Sequence, residues 1–360
     1  MEPLKEMFNK KFYEQFAVEF NKADKKFNSD KFIKEVTHNL ETLSLNQRIR
    51  NTSIVLKNHL PADFKKATET LFKVIPNANK GYTSLAFPDF IGLYGHNDFD
   101  TSMKALKYFT QFGSSEFAIR EFLKRDFNKT IKVMNKWAED KNHHVRRLAS
   151  EGSRPRLPWS FKLDQVIKNP KSTQSILEKL KSDDELYVKK SVANHLNDIS
   201  KENTSYMLSL VNSWDKSNQH TAWIIKHACR TLIKKGDAKS LAVFDFEKNV
   251  KVQVKNLKLN KSKLKLGESL TLDFDLVSDK NKSQKLVVDY IIYYKKNSKN
   301  LSPKVFKLKE VDLKPKKTIS IFKSQVFKDF TTRKHYKGKH KVEIIVNGKV
   351  YASKGFELVV

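Results

Sequence analysis

Residues 143–159, HHVRRLASEGSRPRLPW, contain the sharpest break in the helical pattern of this chain. The first half carries apolar residues at helical spacing. Gly152 is predicted to end this helix, because glycine is favoured at helix C-termini and the two prolines that follow cannot continue the helix. The break is predicted to display four residues together in one rigid turn: Glu151, Arg154, Arg156 and Trp159. Such a group is more typical of a binding surface than of a core.

The chain on both sides of this break is helical, from Leu4 to about Phe244. Phenylalanines at positions 8, 12, 16 and 20 would form one apolar helix face. The sequence DKNHHVRR (140–147) resembles DDELYVKK (183–190), and IKH (225–227) repeats its last part. Helix pairs at a period of roughly 40 residues are typical of HEAT-like α-solenoids. We therefore predict a mainly α fold, with a HEAT-like α-solenoid over residues 1–245 and a surface lined by Lys and Arg.

Beyond residue 245 the apolar period changes from helical to two. Segments such as KLVVDYIIYYKK (285–296) and HKVEIIVNG (340–348) alternate apolar and polar residues, separated by Asn, Ser, Gly and Lys turns. Asn347-Gly348 is a strong signal for a β-hairpin. Residues 246–360 are therefore predicted to form a smaller β-sandwich that is immunoglobulin-like in topology and has no disulfide.

The chain is strongly basic, with 70 Lys plus Arg against 40 acids and a net charge of +30. This excess favours a polyanionic partner, and nucleic acid is the first choice. A Lys-rich soluble protein without such a partner is the alternative. Residues 251–360 hold 27 Lys plus Arg and 10 acids, so the sandwich is predicted to bind DNA phosphates. The alternative is that these lysines protect its edge strands from aggregation.

Several classes of protein are excluded by what the sequence lacks. Cys229 is the only cysteine, so no disulfide framework or CxxC pair exists within the chain. The N-terminus has no apolar core of a signal peptide, and no apolar run is long enough to span a membrane. No nucleotide-binding glycine motif or zinc-hydrolase motif occurs. We expect a cytoplasmic monomer with no cofactor, no metal and no membrane partner.

Three segments then carry a resemblance to a known family: SSEFAIREFL (114–123), VRRLASEGSRPRLPW (145–159) and VKKSVANHLNDISK (188–201). They resemble the DNA alkylation repair family of HEAT-like-repeat DNA glycosylases, specifically its AlkC branch. The resemblance covers roughly residues 1–245. The C-terminal sandwich looks like the immunoglobulin-like domain that members of this branch carry.

The resemblance implies a function and a set of site residues. The function is a monofunctional DNA glycosylase that removes cationic N-methylated bases, 3-methylcytosine and 3-methyladenine, from double-stranded DNA. It would act without base flipping and leave an abasic site. By position in the motifs, the family's acids fall on Glu116, Glu151 and Asp198, and its active-site tryptophan falls on Trp159.

The residue types fit this chemistry independently of the resemblance. A base alkylated on a ring nitrogen is already positive, so it leaves without a strong general acid. What remains is to stabilise an oxocarbenium-like sugar and to place a water, and a carboxylate does both. Asp198 and Glu151 are expected in this role, with Glu116 assisting. Trp159 is expected to contact the lesion nucleotide through cation–π attraction.

Each acid and the tryptophan also has a purely structural interpretation. Glu116 follows two serines and would serve in a capped first turn of a helix. Glu151 lies four residues after Arg147 and would form an ordinary ion pair. Asp198 would cap the next helix, and Trp159 would fill the core.

The basic residues of the break complete the predicted site. Arg147, Arg154 and Arg156 are expected to contact DNA phosphates, which position a protein without reading sequence. The alternative for these arginines is a solvated or ion-paired face. Two other functions remain open at this point: a non-catalytic HEAT-like module that binds damaged or bent DNA, and a solenoid that binds an acidic protein.

Overall fold

The structure, a computed structural model, describes residues 3–78, 80–247, 249–298, 300–330 and 334–359. It divides into two compact units, of which the first ends at Ala228 and the second begins at Cys229. This boundary lies before the predicted division at 245/246. No helix among the described residues is both long enough and apolar enough to cross a lipid bilayer.

The described part of the first unit contains α-helices, short 3-10 turns and connecting segments, and no strand. Its helices are α1 Lys10–Ala23, α2 Ser29–Thr37, α3 Leu45–His59, α4 Phe64–Val74, α5 Ala86–Tyr94, α6 Phe99–Phe109, α7 Ala118–Arg125, α8 Phe127–Trp137, α9 His143–Gly152, α10 Asp164–Lys168, α11 Gln174–Leu180, α12 Leu186–Ile199, α13 Thr204–Asn212 and α14 Gln219–Ala228.

The N-terminal core is aromatic, as the four-residue spacing of phenylalanines predicted. Phe12, Phe16 and Phe20 lie on one face of α1 and are buried. Phe8 is also buried, although it precedes the helix. The rings of Phe16 and Phe20 lie 5.7 and 6.2 Å from the ring of Phe87 in α5. Apolar burial of this kind is the main source of stability for a helical unit.

Residues 76–98 are more regular than the sequence indicated. Their two prolines and three glycines favour a crossover with short helical turns. The segment does contain such turns, at Ile75–Asn77 and Tyr82–Leu85, and it also includes α5, a nine-residue helix. Pro88 lies in the first turn of α5, where a missing N–H breaks no intrahelical hydrogen bond.

The predicted internal repeat is present in the structure. Its three copies fall on α9, α12 and α14, and α12 packs against both of the others. Val145, Val188 and Ile225, which occupy corresponding positions of the repeat, are all buried. The same apolar positions therefore build each layer of the predicted HEAT-like α-solenoid.

The second unit is a β-sandwich preceded by two short helices, α15 Arg230–Lys234 and α16 Ala238–Ala242. Its strands are β1 Val252–Leu259, β2 Lys263–Lys265, β3 Ser269–Ser278, β4 Gln284–Lys295, β5 Leu301–Leu313, β6 Thr318–Val326, β7 Gly338–Val346 and β8 Lys349–Val359. They form two sheets, in the orders β1-β3-β6 and β2-β8-β7-β4-β5. The predicted immunoglobulin-like sandwich is confirmed.

Local contacts explain both the hairpin and the position of the unit boundary. Asn347 and Gly348 join β7 to β8 with φ values of 45° and 81°, as a two-residue type I′ turn requires. Leu241 of α16 packs in one buried cluster with Phe246 and Val287. The short helices therefore belong with the sandwich, whereas their helical periodicity alone favoured the solenoid.

Asp289 of β4 predicts a pH dependence of stability. It is buried, its Oδ1 has no hydrogen-bond partner among the described residues, and burial raises its pKa from an ordinary 3.8 to about 6. Because the folded pKa exceeds the unfolded one, stability is lost as pH rises from about 4 to about 6. We expect Asp289→Asn to raise the free energy of unfolding by about 1–3 kcal/mol at pH 8 and to leave it unchanged near pH 4.

Thermal unfolding at both pH values checks this expectation. Lys234 and Lys307 oppose the shift. A variant that is less stable than the wild type at pH 8 would mean that these lysines, and not burial, dominate the environment of Asp289.

Candidate active site

Three elements of the first unit position the predicted acids. Glu116 lies two residues before α7, Glu151 is the penultimate residue of α9, and Asp198 is the penultimate residue of α12. Leu148 and Leu196 anchor the apolar faces of α9 and α12, and both are fully buried. Because α9 packs against α12, this burial determines the direction in which the acids project.

Two arginines join these acids into one network. Arg147 Nη1 contacts Oε2 of Glu116, and Arg147 Nη2 lies 3.4 Å from Oε1 of Glu151. Arg154 Nη1 lies 2.6 Å from Oε1 of Glu151, and its Nη2 and Nε both lie 2.8 Å from Oδ2 of Asp198. The order Glu116–Arg147–Glu151–Arg154–Asp198 defines what we term the acid–arginine network.

The inner end of this network is buried. Glu151, Arg154 and Asp198 are 5%, 7% and 3% exposed. Burial alone would lower the pKa of Arg154, but the carboxylates of Glu151 and Asp198 outweigh it and the pKa is raised. Lys201 Nζ lies 2.9 Å from Oδ1 of Asp198 and ends the network. Each buried charge therefore has an opposite charge beside it, as buried charges require.

Gly152 ends α9 as predicted, but for a different reason. Its φ lies outside the left-handed region that favours glycine. A Cβ at this position would lie 2.5 Å from Cγ2 of Ile119 in α7 and 3.2 Å from Cε of Met134 in α8. Glycine is therefore required for close packing of the helices, and the prolines that follow account for the break.

Trp159 is displayed on the surface and is not a core residue. Its side chain is 67% exposed and its φ is +64°. A bulky residue in this left-handed region costs about 1–2 kcal/mol. Strain of this kind at an exposed aromatic residue favours a functional role over a packing role.

The strained backbone of Trp159 leads to a prediction about stability. We expect Trp159→Gly to leave the free energy of unfolding unchanged or to raise it by up to about 1 kcal/mol, because glycine adopts a positive φ without strain and little apolar burial is lost. Trp159→Ala removes the ring but keeps the strain, so it is the matched control and is expected to be less stable than Trp159→Gly. Thermal unfolding of the three proteins decides the order, and equal stability of the two variants would contradict it.

Arg120 of α7 holds the segment that carries Trp159. It is fully buried and donates hydrogen bonds to the carbonyl oxygens of Gly152 at 3.0 Å, Arg154 at 2.7 Å and Phe161. Burial, together with the neighbouring Arg154, lowers its pKa to about 10, which leaves it charged at neutral pH. One guanidinium thus fixes the start, middle and end of the break.

His195 provides a second fixed point, between α9 and α12. Burial lowers its pKa to about 3, so it is neutral at physiological pH. Its Nδ1 lies 3.0 Å from the carbonyl oxygen of Ser150 and its Nε2 lies 3.2 Å from Oγ1 of Thr173. Because a carbonyl oxygen only accepts, Nδ1 carries the proton. This hydrogen bond keeps the end of α9 next to the middle of α12.

The outer end of the network opens into a cleft of about 350 Å³. Its lining includes Glu116, Glu151, Trp159 and Arg147. A neighbouring cleft of about 870 Å³ shares part of this lining. The residues common to both clefts are Leu85, Ser114, Phe117 and Trp159. Trp159 therefore stands where the two clefts meet, and Asp198 is joined to the smaller one through Arg154.

The sequence did not single out two aromatic residues of the smaller cleft, Tyr82 and Tyr187. The guanidinium carbon of Arg147 lies 4.6 Å from the ring centroid of Tyr187. Burial raises the pKa of Tyr187, and Arg147 partly opposes the shift. Tyr187 corresponds in the repeat to His144, which does not line this cleft, so the repeat gave no signal for Tyr187.

The three predicted phosphate-contacting arginines are all ion-paired. Arg147 and Arg154 belong to the acid–arginine network, and Arg156 pairs with Glu202. Only Arg156 stands apart from the three acids, with its side chain 27% exposed. The ion-paired alternative therefore describes all three as they lie here, and their contact with phosphate stays a prediction.

Comparison with known proteins identifies the family of this chain. A family model described as "DNA alkylation repair enzyme" matches residues 105–232. A second, described as "Uncharacterised protein YhaZ, C-terminal Ig-like domain", matches residues 253–360. The chain belongs to the DNA alkylation repair family of HEAT-like-repeat DNA glycosylases, in the AlkC branch with an immunoglobulin-like domain.

Two relatives match along their whole length. The chain is 40% identical over 359 residues to the "Uncharacterized protein YhaZ" of Bacillus subtilis (strain 168), covering 99% of this chain and 100% of that protein. It is 44% identical to the alkylpurine DNA glycosylase AlkC of Pseudomonas fluorescens, whose solved structure is bound to DNA containing an abasic site analog. That match has a TM-score of 0.96 and covers 100% of both chains. The predicted family is confirmed.

Proposed function

We propose that this protein is a monofunctional DNA glycosylase. It hydrolyses the N-glycosidic bond of cationic N-methylated bases, 3-methylcytosine and 3-methyladenine, in double-stranded DNA and leaves an abasic site. The observation that carries the proposal is the arrangement of Glu116 and Glu151 in one cleft beneath the exposed Trp159. The solved AlkC relative, bound to DNA with an abasic site analog, supports it.

The reaction follows from the charge of the lesion. A base that is already positive departs with the bonding electrons and needs no proton, and the sugar left behind becomes oxocarbenium-like. Carboxylates placed beside that sugar stabilise it and hold the attacking water. Acids in a basic protein would otherwise repel DNA, so their position is reasonable where the target nucleotide is itself positive.

The geometry supports roles for the three acids that differ from those expected from the sequence. Glu116 and Glu151 line the cleft, and we assign them to face the sugar and the water. Asp198 was expected to do so directly, but its carboxylate is taken by Arg154 and Lys201. We assign Asp198 to hold Arg154 and, through it, Glu151.

In this proposal, Trp159 contacts the lesion nucleotide while that nucleotide remains stacked in the DNA duplex. Because its ring projects 67% exposed into solvent, it can approach a nucleotide that stays in the duplex, and no base flipping is required. Trp159→Gly is expected to lose about tenfold in base release, the scale of one cation–π contact. Since the variant keeps the fold, that loss isolates the ring's contribution.

The DNA partner is expected to bind along the basic surface as a complex with one copy of the protein. Arg156 is the most exposed of the three predicted arginines, and we propose that it exchanges Glu202 for a phosphate. Binding of this type weakens as salt rises, because neutralised phosphates release counterions. The lysines of the second unit extend the same electrostatic attraction.

A single-turnover assay tests the proposed function. Protein in excess is mixed with a duplex that contains one 3-methylcytosine, and free base is measured over time. Release of the base with an intact backbone is the expected result. Binding without release would identify a non-catalytic module, and no binding at low salt would favour an acidic protein partner.

Substrate charge gives a further prediction. Uracil is neutral and leaves as an anion unless it is protonated, and the proposed mechanism supplies no general acid to protonate it. We expect release of uracil to be at least about a hundredfold slower than release of 3-methylcytosine, the lower end of what a general acid contributes. Parallel assays on matched duplexes measure the ratio, and comparable rates would contradict a mechanism that relies on a cationic base.

A further inference from the structure

Arg147 lies between the two acids that, in the proposed reaction, face a positively charged nucleotide. Its guanidinium contacts Glu116, lies 3.4 Å from Oε1 of Glu151 and donates to Oγ of Ser114 at 3.0 Å. Its guanidinium carbon lies 4.6 Å from the centroid of the Tyr187 ring. Two carboxylates and an aromatic face form the environment that also suits a cationic nucleotide.

Arg147 lines the cleft, whereas Arg154, the other arginine of the network, does not. Arg154 has a 2.6 Å contact with Glu151 and two 2.8 Å contacts with Asp198. Arg147 contacts Glu116 closely but has a longer contact with Glu151, and its Nε has no hydrogen-bond partner among the described residues. Arg154 is therefore the inner member of the network and Arg147 the one that faces the substrate.

The formal charges of the site reinforce this distinction. Three carboxylates, Glu116, Glu151 and Asp198, are matched by three cations, Arg147, Arg154 and Lys201. Arg120 adds a further positive charge beside the three acids. If Arg147 turned away, Glu116 would lose its ion-pair partner and Glu151 would keep only Arg154, so one carboxylate would be left for a positive nucleotide.

We propose that Arg147 is a displaceable counter-ion, which holds the place between Glu116 and Glu151 that the positively charged lesion nucleotide takes in the complex. This inference rests on the proposed function. It gives the site a selectivity that does not depend on base shape, because only a cation replaces a guanidinium without leaving carboxylates unpaired. The freed Arg147 then contacts a DNA phosphate, which is the role predicted for it from the sequence.

The test compares binding of two duplexes that differ by one charge. One contains a positively charged pyrrolidine abasic analogue and the other an uncharged tetrahydrofuran analogue. We expect Arg147→Gln to raise the preference for the charged duplex about tenfold over that of the wild type, a change of about 1.4 kcal/mol. The reason is that the competing guanidinium is gone while both acids remain.

The matched control is Arg146→Gln, the adjacent arginine of α9, which pairs with Asp183 at 2.6 Å instead of with the network. Its preference is expected to equal that of the wild type. Arg147→Lys keeps the charge but loses the planar fork and stacking, so it is expected to raise the preference by about threefold. This second variant decides the question if Arg147→Gln does not fold by circular dichroism.

An unchanged or reduced preference in the Arg147 variants would overturn the inference. Base release by the wild type is measured in parallel on 3-methylcytosine duplex. If the wild type releases the base but the Arg147 variants show an unchanged preference, the counter-ion role is rejected and the proposed function stands. If the variants show a raised preference but the wild type releases no base, the counter-ion role stands and the glycosylase activity is rejected.

Discussion

Glu151→Gln is expected to reduce the single-turnover rate of 3-methylcytosine release by about 100–1000-fold, the usual effect of removing one group that stabilises developing charge. Glu151 is the only acid that contacts both Arg147 and Arg154 in the described structure, and it lines the cleft. Glutamine keeps the size and the hydrogen-bonding oxygen but removes the charge. Affinity for abasic-site duplex is expected to change less than about threefold.

Two further variants make this prediction specific. Glu139→Gln removes a surface glutamate that pairs with Lys179, and it is expected to match the wild type in rate. Asp198→Asn is expected to retain a single-turnover rate at least about tenfold higher than that of Glu151→Gln, because Asp198 acts through Arg154. A larger loss for Asp198→Asn, with the fold intact by thermal unfolding, would return Asp198 to direct contact with the sugar.

Arg120→Met is expected to be the most destabilising substitution in the site. It leaves the carbonyl oxygens of Gly152, Arg154 and Phe161 without their donor, at about 1 kcal/mol or more for each. A total of about 3 kcal/mol would lower the melting temperature by roughly 6–12 °C for a unit of this size. Base release is expected to fall as well, because the segment that carries Trp159 loses its anchor.

Arg125→Met and Arg120→Lys provide the comparisons. Arg125 is an exposed arginine at the end of the same helix, and its loss is expected to shift stability by less than about 0.5 kcal/mol. Lysine at position 120 has one ammonium in place of a planar fork, so it is expected to recover little of the stability. Full stability of Arg120→Lys would show that charge, and not the three-way hydrogen bonding, is what the position requires.

Much of the architecture was readable from the sequence because it depends on apolar periodicity. The spacing of Phe12, Phe16 and Phe20 required a helix, and Asn347-Gly348 required a tight hairpin. Where the prediction from sequence was incomplete, the reason is also physical. Residues 76–98 look irregular because they contain two prolines and three glycines, but Pro88 falls in the first turn of α5, where a helix tolerates it.

The site was predicted in composition but not in connectivity. The acids and Trp159 followed from the motifs and their resemblance to a family. The sequence shows that the chain leaves the helix after Gly152, but it does not show that Arg154 turns inward between two acids. Arg120 resembles any helical arginine, and only its spacing of three residues from the buried Leu123 of α7 sets it on the apolar face.

The acid–arginine network draws its members from three different layers of the helical stack, before α7, at the end of α9 and at the end of α12. The separation of its carboxylates therefore depends on the pitch of the solenoid. A duplex that flexes the stack on docking would alter those separations, so mechanical strain applied far from the cleft would reach the electrostatics of the reaction. Packing residues between layers are, in this sense, determinants of rate as well as of shape.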